Sequence, residues 1–168
     1  MTQQLLDIGN GAQGTRNTLR VMSSLVRETR IEPLIRSLAV SLTSDAGNKQ
    51  YMQEVDALFC FVRDRIRYVM DTNGVERVEN PLTLLQTRAG DCDDKCTLLA
   101  ALLESIGHPC RFCAVGYNAP GQYEHVYLET LVGRKWVALD PTEDVNVGWA
   151  PIRPYVDIDC ACMMKEYI

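Results

Sequence analysis

A chain of 168 residues, 46% hydrophobic and 23% charged, carries enough apolar side chains for one domain with a substantial core. Its net charge of −5 and the lack of any Lys/Arg cluster argue against nucleic acid as a partner. No apolar run reaches the ~20 residues of a membrane span, and the opening Met1–Asp7 segment lacks the positive start and apolar run of a signal peptide.

Seven cysteines, an odd number, with no secretion signal predict free thiols in a reducing, cytoplasmic setting. Gly9, Gly11 and Gly14 interrupt any regular pattern, so residues 1–15 read as a poorly ordered lead-in. From Thr18 to Thr43 the spacing of Leu19, Met22, Val26, Leu34, Ile35, Leu38 and Leu42 predicts helix, with Pro33 in the first turn of a second piece. A turn at Ser44–Asn48 leads to a further helix over Lys49–Tyr68, through Met52, Val55, Leu58, Phe59, Val62 and Ile66. Asp71–Asn80 reads as a polar loop and Pro81–Thr87 as a short helix.

Gly90-Asp91-Cys92 then opens an apolar helix that ends at Gly107, where Pro109 bars its continuation. Asp91 is an N-cap residue, and Asp94, three positions on, completes an approximate capping box. Cys92, Cys96, Leu99, Leu103 and Ile106 share one stripe, which places Cys92 where a core-facing row meets the helix N-terminus. The helix dipole and the free N–H groups there favour a thiolate, the nucleophilic form of cysteine. Asp91, Asp93 and Asp94 oppose it by like charge and read as capping and loop-fixing residues.

Beyond the helix the period changes to two. Strands are predicted over Arg111–Tyr117, Tyr123–Val132 and Lys135–Asp140, with a turn at Asn118–Gly121 and a Gly133–Arg134 hairpin. After Pro141 the chain reads as an extended arm, and residues 160–168 carry no clear signal. The sum is an α+β fold: a helical first half, then a central helix packed on an antiparallel sheet.

A nucleophilic cysteine needs a base, and the chain offers two histidines. His108 lies at the far end of a helix ~22 Å long, out of reach of Cys92, which leaves His125. With Gly133 and Arg134 as the loop, residue 132 pairs with 135 and Tyr127 faces Asp140. His125, Tyr127, Trp136 and Asp140 then share one face, with His125 and Asp140 diagonal neighbours within side-chain reach. A one-residue slip in register would separate them.

These residues resemble the transglutaminase-like superfamily of papain-type cysteine enzymes, in its bacterial and phage form. The resemblance is carried by Gly90-Asp91-Cys92, Ile106-Gly107-His108-Pro109, His125-Val126-Tyr127 and Trp136-Val137-Ala138-Leu139-Asp140-Pro141, and spans Tyr68 to Thr142. It implies one domain over 1–168: a helical part (1–67), a catalytic core (68–142) and a C-terminal arm (143–168). It also implies Cys92 as nucleophile, His125 as base then acid, and Asp140 as the residue orienting His125. The reaction would be acyl transfer at an amide of a peptide or protein through a thioester, ended by water or an amine, with no cofactor and no metal. The Cys92 N–H would give one oxyanion donor, with Asn80 and Gln86 as candidates for a second. Tyr127 stands where the family commonly has Trp, which bears on the shape of the substrate cleft.

Two rival readings accompany this one. Cys92, Cys96, Cys110 and Cys113 superficially form a four-cysteine zinc pattern, although Cys110 and Cys113, three apart on a strand, aim at opposite faces. Alternatively the chain is a non-enzymatic structural or adaptor protein of the same fold, associated with a phage particle. Cys60, Cys160 and Cys162 read as packing or tail residues. Oligomeric state and substrate identity are left open by the sequence.

Overall fold

In the computed structural model, which describes residues 11–70, 77–119, 121–151 and 163–168, helices come first and an antiparallel sheet follows. The helical half comprises α1 (Gly11–Thr29), α2 (Pro33–Leu42) and α3 (Tyr51–Arg65). A two-residue strand β1 (Arg67–Tyr68), helix α4 (Pro81–Thr87) and strand β2 (Ala89–Gly90) lead into α5 (Cys92–Ser105). Strands β3 (Cys110–Val115), β4 (His125–Val132), β5 (Lys135–Leu139) and β6 (Met163–Tyr167) form one sheet in the order β5-β4-β3-β6, every pair antiparallel.

Helix α5 is the axis of the molecule. Instead of burying one stripe, it is buried on every side from Asp94 to Leu103, and from Leu98 to Leu103 every side chain is apolar. It packs on α1, α2, α3 and α4 and against β3 and β4. Gly107, at φ +98°, lets the chain turn off the helix end, and the His108 N–H returns to the Leu103 carbonyl at 3.0 Å. His108 pairs there with Glu54 of α3 at 2.6 Å, far from Cys92 as helix length requires.

The sheet turns Phe112, Ala114, Val126, Leu128, Leu139 and Met164 toward the helices in one continuous core. On its other face Cys113, Val115, Tyr127 and Ala138 cluster under Ala150. Nearby, the Arg111 guanidinium lies 4.0 Å over the Trp136 ring. The β4–β5 register is the one expected from a Gly133–Arg134 loop, running from Val132↔Lys135 to Leu128↔Leu139. Among the described residues no helix is long and apolar enough to cross a membrane.

Two expectations are corrected: the lead-in over residues 1–15 and the end of the helix over Lys49–Tyr68. Residues 11–15 belong to α1, since glycines at a helix start cost less than in its middle; residues 1–10 lie outside the described part. The helical stretch expected over Thr18–Thr43, with a second piece opening at Pro33, is α1 and α2, separated at Arg30–Glu32. The helix expected to reach Tyr68 stops at Arg65, because Arg67 and Tyr68 leave it to pair in parallel with Ala89 and Gly90. Within residues 160–168, for which the sequence has no clear signal, Met163–Tyr167 form an edge strand that pairs with β3, from Arg111↔Tyr167 to Val115↔Met163. The arm's residues 152–162, Cys160 and Cys162 among them, and residues 71–76 of the polar loop lie outside the described part.

Candidate active site

The loop–helix junction that carries Cys92 is fixed by carboxylates. Asp91 Oδ1 accepts the N–H groups of Asp93 and Asp94 at 3.0 and 3.2 Å, and Asp94 Oδ2 accepts the Asp91 N–H at 3.2 Å. This closes the capping box with Asp in the place usually held by Glu. The other oxygen of Asp94 takes the Glu79 N–H at 2.6 Å, tying the preceding loop to the same point. Cys92 is therefore the first residue inside a helix that cannot shift at its start.

Strand β4 meets this junction at its own first residues. Its ladder with β5 stops at Leu128, so the β5-facing backbone groups of Val126 are open to α5. The Val126 carbonyl accepts the Cys96 thiol at 3.5 Å, and the Val126 N–H is directed to the Cys92 sulfur. The residue next to His125 is thereby clasped between two cysteines one helical turn apart.

His125 Nε2 lies 2.7 Å from Asp140 Oδ2. Asp140 follows β5 directly, is 0% exposed, and gives its other oxygen to Thr142: 3.1 Å to the backbone N–H and 2.6 Å to the hydroxyl. Burial pushes the Asp140 carboxyl up, but the bonds from His125 and Thr142 outweigh it and hold the group below the usual carboxylate range. The imidazole is thus anchored through Nε2, leaving Nδ1 as its second proton site.

The thiol differs from the expected thiolate. Burial above all, then the charges of Asp93 and Asp91, push Cys92 well above the ordinary thiol value, and its S–H donates to Asp93 Oδ1 at 3.6 Å. The helix dipole alone does not ionise it; the proton needs an acceptor. Cys96, deeper on the helix, is likewise pushed up by burial.

The remaining candidates separate. Asn80 accepts the Leu82 N–H at 2.9 Å as the N-cap of α4, and Gln86 is exposed on α4. Tyr127 is 0% exposed, its hydroxyl donating to Glu129 at 3.4 Å, so it packs inside the fold and shapes any cleft only indirectly. Cys110 joins the main core while Cys113 lies on the opposite sheet face, so the four sulfurs of the zinc pattern do not converge. Among the described residues no three His, Cys, Asp or Glu side chains gather as metal ligands.

Two participants escaped the sequence reading. Thr142 was legible in principle, because an Asp accepting from the N–H two residues on is the common Asx turn, and Asp140-Pro141-Thr142 fits it. Lys95 is the other: 2% exposed, its Nζ donates to the carbonyls of Ile66 and Arg63 at 2.8 and 3.2 Å, and burial lowers its pKa. A lone lysine near the start of an otherwise apolar helix was its signal.

A family model described as the transglutaminase-like superfamily matches residues 36–141, a span that begins within α2 and takes in more of the helical half than Tyr68–Thr142. Among solved structures the chain is similar to a candidate protease from Parabacteroides distasonis ATCC 8503, at 17% identity and a TM-score of 0.61, over 78% of this chain and 26% of that one. It is also similar to a candidate cysteine protease from Cytophaga hutchinsonii, at 20% identity and a TM-score of 0.52, over 80% of this chain and 47% of that one. Likeness at such identities is likeness of fold, and the chain spans under half the length of either structure. No curated protein matches the sequence. With the family match extending over more than half of its residues, the chain belongs to the transglutaminase-like superfamily.

Proposed function

We propose that the protein is a cysteine-dependent acyl-transfer enzyme acting at an amide bond of a peptide or protein, with Cys92, His125 and Asp140 as its triad. The observation that carries this reading is the 2.7 Å bond of His125 to a buried carboxylate, on a strand whose next residue is clasped against Cys92.

His125 takes the thiol proton from Cys92, which its burial and the flanking aspartates keep in place at rest. The thiolate attacks the carbonyl carbon, and the Cys92 backbone N–H at the helix start donates to the oxyanion. His125 returns the proton to the leaving nitrogen as the C–N bond breaks, leaving a thioester on Cys92. A water or an amine, deprotonated by His125, then attacks the thioester and releases Cys92 as thiol. Asp140, fixed by Thr142 on its other oxygen, stabilises the imidazolium and sets the ring orientation.

The test is a mixed peptide substrate incubated with and without a primary amine, with products identified by mass. The protein should release peptide amine and form either acid or new amide, and Cys92→Ala should do neither. Equal turnover by Cys92→Ala would overturn the proposal, as would no turnover across the peptide set.

A further inference from the structure

Beside the candidate triad opens a pocket of about 430 Å³. Two of its lining residues, Thr142 and Tyr68, tie it to the site. Thr142 holds Asp140 through two bonds. Tyr68 lies near enough to the nucleophile that its phenol, pushed up first by burial, is pushed further by charge on Cys92 and on Asp91 and Asp93.

The lining is mainly cationic, five Lys and Arg side chains against three carboxylates, in a chain whose net charge is −5. Some of these charges are already answered. Arg63 is bonded to Asp64 at 2.7 and 3.0 Å, with the charge of Asp144 also acting on it, and Lys95 is bonded to two carbonyls. Arg67 and Arg88 differ, because among the described residues neither side chain pairs with a carboxylate. The Arg67 N–H bonds to the Arg88 carbonyl at 2.9 Å, so the β1–β2 ladder holds the two side by side. Arg88 sits at φ +56°, a left-handed position where glycine would be easier, with its guanidinium 5.4 Å over Phe61. Two neighbouring arginines in the lining of one pocket are suited to a carboxylate, which guanidiniums bind through paired hydrogen bonds. Glu143 and Asp144, also in the lining, repel an anion from their own part of the pocket.

We propose that this pocket is a specificity site for the acyl-transfer substrate, taking a carboxylate of an acidic peptide on Arg67 and Arg88. The proposal rests on the Cys92–His125–Asp140 reading for its substrate, so binding and turnover are measured apart. Fluorescein-labelled peptides are titrated by anisotropy against Cys92→Ala: one with an internal Glu and an amidated C-terminus, one with Gln in its place, and one with Gln and a free C-terminal carboxylate. Either the Glu peptide or the free-carboxylate peptide should bind about ten-fold tighter than the neutral one, which tells a side-chain from a terminal carboxylate. The advantage should weaken as salt is raised. It should fall to within about two-fold in Cys92→Ala carrying Arg67→Gln and Arg88→Gln, with folding checked by thermal melting. Equal binding of all three peptides, no binding of any, or discrimination that survives loss of both guanidiniums would overturn it. Discrimination by Cys92→Ala with no turnover by the unaltered protein would leave the pocket standing and remove the acyl-transfer reading. Turnover without discrimination would do the reverse.

Discussion

Gly90 lies directly beneath the carboxyl group that closes the cap of the next helix. A Cβ there would sit 2.6 Å from Asp94 Oδ2 and 2.8 Å from a Leu84 methyl, so Asp94 or α4 must move to admit it. Gly90→Ala should therefore destabilise by about 1–3 kcal/mol, read as a fall in melting temperature of ~2–4 °C per kcal/mol. Asp93 acts on the sulfur itself. It accepts the Cys92 S–H and adds negative charge beside it, both of which favour the protonated thiol. Asp93→Asn removes the charge, so the thiol pKa should fall. Alkylation of Cys92 followed against pH should show its midpoint at lower pH in the variant; an unchanged or higher midpoint would contradict the role given to Asp93. At this scale the sequence was informative. The cap, the capping box and the position of His108 at the far end of α5 from Cys92 all follow from local spacing, which short-range geometry enforces. The state of the thiol was not readable, since it depends on burial that only the folded chain creates.

Elements bring the start of β4 against the start of α5, and side chains from distant elements set where those elements end. Lys95 of α5 places its Nζ on the carbonyls of Arg63 and Ile66 at the end of α3, so α3 stops there and Arg67 and Tyr68 are released to pair with β2. Lys95→Met keeps the length of the stem and removes the donor. Each buried carbonyl left without a partner should cost about 1–3 kcal/mol, measured as a lower urea midpoint at unchanged slope. The early end of α3 was hidden from sequence for this reason: residues 49–68 have unbroken helical spacing, and the group that ends the helix lies some thirty residues on. The β4–β5 hairpin was readable because its two-residue loop fixes register over its whole length, and with it the pairing of His125 and Asp140.

At the scale of the whole molecule, a helix buried on all sides needs a complete shell, and the last residues of the chain supply part of it. In β6, Met164 is 8% exposed within the main core, and the Tyr167 hydroxyl accepts a hydrogen bond from the Arg111 guanidinium at 2.8 Å. The strand was not legible because its pairing with β3 joins the two ends of a long connection, which no local period records. Removing residues 163–168 should lower stability by about 3 kcal/mol through lost apolar burial and ladder bonds, visible as an earlier thermal transition. The same assembly of α5 against β4 carries the central claim, that His125 is the proton acceptor of Cys92. The direct measurement is the alkylation rate of each cysteine, mapped by peptide mass, in the unaltered protein and in His125→Ala. The account predicts that Cys92 labels fastest and slows by at least about ten-fold in His125→Ala, while the other described cysteines keep their rates. A Cys92 rate that is the same in both proteins would contradict it.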